Sequence, residues 1–123
     1  MVVNRERQKS QALISDDAQK PIFDRQQFED NTMSDRTLQQ EILLLFLAQI
    51  QDVRKKLNEG PVSMEESRFL GHTLRGSAAA VGATDFVLIA ENWENLALEG
   101  QSLQAALDKS EISFRKTISH YLA

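Results

Sequence analysis

The chain has two histidines and no cysteine among its 123 residues. Nucleophilic side-chain chemistry at neutral pH therefore falls first to an imidazole nitrogen, and thiol catalysis, disulfide scaffolds, Cys zinc sites and iron–sulfur clusters are excluded. His72 stands in the run Arg68-Phe69-Leu70-Gly71-His72-Thr73-Leu74-Arg75-Gly76. At ~100° per residue, Leu70, Leu74, Ser77 and Val81 gather on the side opposite His72. Arg68, Arg75, Gly76, Ala79 and Ala83 fall on its own side. The spacing thus describes an outward-pointing nucleophile in a cationic, sterically cleared strip. A glycine inside a helix costs about 1 kcal/mol against alanine, so Gly76, one turn from His72, implies that something must come close there. A lone surface histidine is ordinarily inert; the constellation argues otherwise. His120 has neither cations nor small residues around it, and near a helix C-terminus it reads as structural.

The elements that must carry this strip are helical. After Pro21 and Ile22, Asp24 caps a short first helix with Phe28 on its inner side and Asn31 near its end. Ser34 or Asp35 opens a long second helix whose apolar positions Leu38, Ile42, Leu45, Phe46, Gln49, Val53 and Leu57 recur at three and four, ending at Gly60-Pro61. Ser63-Met64-Glu65-Glu66 is a capping box that starts the third, His72-bearing helix, which runs to Gly82. Thr84 caps a fourth helix with Phe86, Ile89, Ala90, Trp93, Leu96 and Ala97 inward and Gly100 as its stop. Ser102 opens a fifth, with Leu103, Ala106, Leu107, Phe114, Ile118 and Leu122 inward. Trp93 belongs to this apolar stripe and reads as core. No strand pattern and no internal repeat appears. Long helices joined by short connections pack as neighbours, which predicts an all-α, antiparallel up-and-down four-helix bundle over residues 21–123 with a short N-terminal leader helix. Residues 1–20, polar and poor in large apolar side chains, are expected to form a flexible tail.

Composition narrows the function classes. At about 100–200 residues per domain, the length fits one domain, and 41% hydrophobic with 26% charged residues is the balance of a soluble globule. A net charge of −4 offers no field for nucleic acid or anionic lipid, so protein partners are expected. The apolar run from Ile42 to Ile50 falls far short of the ~20 residues that span a bilayer. The N-terminus has no apolar region of the secretory kind, and the expected location is the cytoplasm. No Gly-rich phosphate loop or nucleotide fingerprint is present, and the chain is too short for a kinase domain, so autophosphorylation from ATP is not expected.

The run from His72 through Leu74, Arg75, Gly76, Ser77 and Ala78 to Gly82-Ala83 resembles the signature of histidine-containing phosphotransfer (HPt) domains. That signature is His, any residue, Leu, Lys or Arg, Gly, two small residues, then Gly-Ala or Gly-Leu after three more. The resemblance extends to Asp24–Phe28 and to Ser34-Asp35 leading into Leu38–Phe46, and covers about residues 21–122. It implies a phosphorelay carrier in which His72 accepts a phosphoryl group from a receiver-domain aspartate and passes it to another receiver. Response-regulator receivers and a hybrid sensor kinase are the implied partners. The receiver would bring the magnesium; no cofactor or metal of this chain's own is expected, and the carrier would be a monomer rather than an enzyme in its own right. The chemistry is consistent: a neutral imidazole nitrogen can attack an aspartyl phosphate, and the phosphoramidate formed stays reactive. Arg75, where the family more often has Lys, offers a planar donor fork for phosphoryl oxygens, with Arg68 a turn away on the other side. Ser77 reads as a small packing residue bonded to a backbone carbonyl.

A second partner for His72 follows from the turn near Ala83. His72 and Glu94 lie eleven residues from it on opposite limbs, at similar height, so Glu94 could accept from Nδ1–H and leave Nε2 free. The family often has Gln there. A carboxylate would also favour the imidazolium, which cannot attack, and would add negative charge beside an incoming phosphoryl group; a solvated Glu94 beside Glu91 is the alternative. Leu43, Leu44 and Leu47 exceed what one stripe needs. They either close the bundle against the leader helix or, with Phe23, Phe28 and Met33, contribute a docking patch for the receiver. Two rival functions remain: a helical adaptor using the same face without phosphorylation, against which the intact His72-Arg75-Gly76 set argues, and a purely structural bundle, which leaves Gly76 unexplained. The histidine bundle of a dimeric kinase would need an attached ATP-binding domain.

Overall fold

The computed structural model describes residues 22–123, which form five helices and, among the described residues, no strand beyond a single bridge between Phe23 and Ala83. The tail expected over residues 1–20 lies outside the described residues. The helices are α1 (Arg25–Asn31), α2 (Arg36–Asn58), α3 (Met64–Ala80), α4 (Thr84–Glu94) and α5 (Gly100–Leu122). Three begin where side-chain caps dictate. Asp24 Oδ1 accepts from the amide of Gln27, Asp35 Oδ1 from that of Leu38, and Ser63 Oγ from that of Glu66, each at 3.1 Å. The capping box at Ser63 is half used, because Glu66 gives its carboxylate to Lys56 of α2 at 2.7 Å.

Three helix boundaries differ from the sequence reading. Thr84 is the first residue of α4 rather than its cap; Ala83 holds the cap position, with no side-chain bond. The fourth helix stops at Glu94, not Gly100: the amides of Leu96 and Ala97 turn back to the carbonyls of Trp93 and Asn92, and Leu96 takes a φ of 62°. This Schellman closure ends the helix although the apolar pattern continues past it, because Leu98 packs against the core from the connecting segment. The fifth helix starts at Gly100, two residues before Ser102. The same closure ends α3 at Gly82 (φ 72°), with Ala83 N–H on Ala78 O at 2.8 Å, and ends α1 at Met33 (φ 51°).

Helix α3 packs mainly on α4, and α2 on α5, with α4 also against α5. The stripe that α2 buries is Gln39, Leu43, Phe46, Leu47, Ile50 and Val53. Leu45, expected inside, is exposed, and so is Leu44, while Leu43 and Leu47 close the core. Phe46, Phe86 and Phe114 meet edge to face at its centre. Phe23 and Phe28 seal one end of the core against Phe114 and Tyr121. Both phenylalanines are buried, which removes them from an exposed docking patch: their rings are taken up by packing on Phe114 and Tyr121 of α5. Two polar staples fasten the elements. Glu29 of α1 accepts from Tyr121 of α5 at 2.7 Å and from Gln39 of α2 at 3.0 Å. Buried Glu111 of α5 accepts from Arg54 of α2 and from Arg115, each at 2.8 Å.

The segment before α1 lies across the α3–α4 turn, with Asp24 N–H on Gly82 O at 2.7 Å and Thr84 N–H on Ile22 O at 3.1 Å. Gly82 is needed there twice over, for its positive φ and because a Cβ would stand 2.5 Å from the carbonyl oxygen of Asp24.

Candidate functional site

His72 lies midway along α3, on the face away from Leu74 and Ala78, and its side chain is 67% exposed. What places it is the residue before it. Gly71 faces α4 so closely that a Cβ would fall 2.7 Å from the backbone nitrogen of Glu94 and 3.0 Å from the carbonyl oxygen of Ala90. This contact brings the backbones of α3 and α4 together at the level of His72 and carries Glu94 to the imidazole. Glu94 Oε2 stands 3.1 Å from His72 Nδ1. Arg75, one turn on, puts Nη2 at 3.2 Å from the same Nδ1 and 3.3 Å from Glu94 Oε1.

These three side chains form a closed triangle with a built-in choice. Nδ1 either carries a proton and donates to Glu94, or presents its lone pair to Arg75; it cannot do both. In the first state Nε2 bears the lone pair and is a nucleophile. In the second Nε2 carries the proton and neither nitrogen is free to attack. The carboxylate of Glu94 favours the first state, and its ion pair with Arg75 offsets the negative charge that it would otherwise hold beside an incoming phosphoryl group. Among the described residues Nε2 has no protein partner.

Of the other residues singled out from sequence, Gly76 faces open space, with nothing within 4 Å of where its Cβ would be. Ala79 is half-buried and lines an apolar groove of about 370 Å³ with Gln27, Val87 and the exposed Leu88. Ala83 is not part of the exposed strip. It lies past the end of α3, fully buried beneath Phe23, because the chain leaves its helical course at Val81 and the wheel no longer applies. Arg68 is exposed and makes no bond to His72. Met33 is 81% exposed, alone of the three aromatic and Met residues expected to dock a partner. Ser77 is half-buried, with its hydroxyl on the carbonyl of Thr73 at 3.2 Å.

Two residues at the site escaped the sequence reading. Gly71 was a second mid-helix glycine, with the same helix-propensity cost as Gly76, and that cost was its signal. Phe69, one turn before His72, is an exposed aromatic on the same outer half of α3; the helical wheel that displayed His72 displays it too.

The family model for the Hpt domain matches residues 26–122. Searches of curated proteins and of solved structures return no match. With nearly the whole described region covered by that family and an exposed histidine in its helix, the chain belongs to the Hpt domain family, whose members serve phosphotransfer in phosphorelays. The family carries phosphoryl groups between receiver domains of response regulators and hybrid kinases. No helix of the described residues is long and apolar enough to cross a membrane.

Proposed function

We propose that the protein is a phosphorelay carrier that accepts a phosphoryl group on Nε2 of His72 from a receiver aspartate and gives it to the aspartate of a second receiver. The observation that carries this reading is the exposed imidazole held at Nδ1 by Glu94, with Nε2 left outward. In the forward step the Nε2 lone pair attacks phosphorus, the P–N bond forms as the P–O bond to the aspartate breaks, and the aspartate departs as carboxylate. The Nδ1 proton stays on the ring, in its bond to Glu94, so the imidazolium produced is paired at once. Arg75 has further N–H groups beyond the one shared with Glu94 and His72, and these hold the phosphoryl oxygens; exposed Arg68 adds positive charge.

Helices α2–α5 act as an antiparallel up-and-down four-helix bundle that keeps this triangle rigid. The receiver approaches over Gly76, where no Cβ blocks it, and rests on Ala79 with its groove, on exposed Phe69 and on Met33. The carrier is a cytoplasmic monomer with no cofactor of its own and no autokinase activity, the receiver supplying the magnesium. The test is incubation of the chain with phosphorylated receivers carrying radiolabel. Label should appear in an acid-labile, base-stable form, and His72→Gln should take none while remaining helical. Label on His120 would overturn the assignment of His72, and a complex with receivers that forms without any transfer would replace this reading with that of an adaptor.

A further inference from the structure

A cavity of about 620 Å³ opens near the beginning of α3, between the Gly60-Pro61-Val62 connection and the first turn of α5. Two polar side chains in its wall are almost wholly buried: Ser67 is 5% exposed and Trp93 1%. Among the described residues neither the Ser67 hydroxyl nor the Trp93 indole N–H has a hydrogen-bond partner. Buried indole N–H groups ordinarily find an acceptor, and one left bare is costly. Ser67 had an internal solution at hand. Ser77 and Thr117 turn their hydroxyls onto the carbonyl four residues back, at 3.2 and 2.9 Å, whereas Ser67, with the Ser63 carbonyl in the same relation, does not. Its hydroxyl is left without a protein partner among the described residues.

The start of α5 adds to this. Its cap residue Glu99 makes no side-chain bond to the first-turn amides, and Gly100 and Gln101 line the same space. Ser67 and Trp93 thus bring hydrogen-bonding groups without a protein partner to a wall that also holds the amide side chains of Gln101 and Gln104 and the apolar Leu57, Val62 and Leu103. An occupant must present an acceptor oxygen. Glu99, also at the wall, repels a carboxylate, and the donors are left best matched by a neutral carbonyl.

We infer that this cavity binds a small neutral molecule with an apolar body and a carbonyl oxygen, the oxygen accepting from Trp93 Nε1–H and Ser67 Oγ–H while the body lies on Leu57, Val62 and Leu103. The site is separate from the phosphotransfer reading and stands or falls without it. The chain contains a single tryptophan, so its proton–nitrogen correlation spectrum has one indole signal to follow. Benzamide titrated into the full chain should move that signal downfield in a saturable way. Benzoate should bind several-fold more weakly, and toluene, which has no acceptor, should give no downfield shift. Ser67→Ala should weaken benzamide by about three- to tenfold, and Val62→Phe, checked for folding by circular dichroism, should abolish the response. The inference is overturned if benzamide gives no saturable shift in the wild-type chain. It is equally overturned if folded Val62→Phe responds like the wild type, or if the indole signal exchanges only with water, which would make the cavity a hydration site.

Discussion

At the scale of single residues, the chemistry turns on which way the Nδ1 proton of His72 is directed. Glu94 and Arg75 compete for the same nitrogen at 3.1 and 3.2 Å, and in the proposed transfer the carboxylate is the partner that favours the state in which Nε2 can attack. Removing it leaves Arg75 as the remaining partner. Glu94→Ala is therefore expected to move the ring proton to Nε2 and to slow phosphoryl acceptance by about ten- to a hundredfold, the size of loss that metal-bound histidines show when their orienting partner is removed. Glu94→Gln keeps an acceptor oxygen and should retain both the Nδ1–H state and most of the rate. Nitrogen shifts of the His72 ring, read beside single-turnover transfer rates, check this; unchanged ring shifts in Glu94→Ala would show that the contact does not set the proton. For Arg75, Lys preserves the charge but not the planar fork, so Arg75→Lys should transfer more slowly than wild type and Arg75→Ala much more slowly still. Equal rates in the two variants would make the charge irrelevant.

At the scale of elements, the two glycines of α3 should respond to alanine in opposite directions. Both gain helix propensity, by about 1 kcal/mol. At Gly76 nothing opposes the gain, and Gly76→Ala should raise the urea midpoint. At Gly71 the new methyl meets the α4 backbone, a helix–helix contact that cannot move without parting the whole interface, so Gly71→Ala should lose about 1–3 kcal/mol. Gly76→Gln should keep its stability and slow transfer, because its side chain would stand beside His72 where a receiver approaches. The end of α1 offers a third element-scale test. Met33 holds a left-handed backbone with its side chain in solvent, a conformation that costs a residue with a Cβ about 1–2 kcal/mol. Met33→Gly should recover roughly 1 kcal/mol of that in thermal or chemical denaturation. Any effect of the same variant on receiver affinity then measures docking separately from folding.

For the whole molecule, the two polar staples make the stability of the bundle depend on pH. Burial raises the Glu111 carboxyl, but donation from Arg115, Arg54 and Gln51 outweighs burial and leaves it below its ordinary value. The hydroxyl of Tyr121, with Ser34 and Gln39, holds Glu29 low in the same way. Both lowered groups contribute stability that is present above the unfolded carboxyl value, roughly pH 4–5, and is lost as pH falls through their folded values. Tyr121 is raised, by burial and then by its bond to Glu29. Its contribution is present below the phenol's ordinary value, near pH 10, and is lost as pH rises through the raised one. A thermal midpoint followed against pH should therefore decline at both extremes. Glu111→Gln should cost about 2 kcal/mol at neutral pH and flatten the acid limb, and Tyr121→Phe should flatten the alkaline limb. A variant whose acid limb matched the wild type would show that Glu111 does not control it.

The sequence by itself determined what repeats locally. The helices, three of their caps, the Gly82 turn and the outward direction of His72, Arg75 and Gly76 all follow from periodicity and capping chemistry that act within a few residues. Counting back from one turn also set Glu94 level with His72. What only the tertiary structure decided depends on pairs far apart in the chain. Phe23 and Phe28 are core because Phe114 and Tyr121 meet them from α5. Ala83 is buried because residues 22–24 cross over it. Leu45 faces outward because α2 turns its Leu43 and Leu47 side toward the core. Gly71 is indispensable only when α4 lies against it. A helical wheel reports which residues share a face, but burial depends on what comes to cover that face, and the covering residues here are brought in from distant segments.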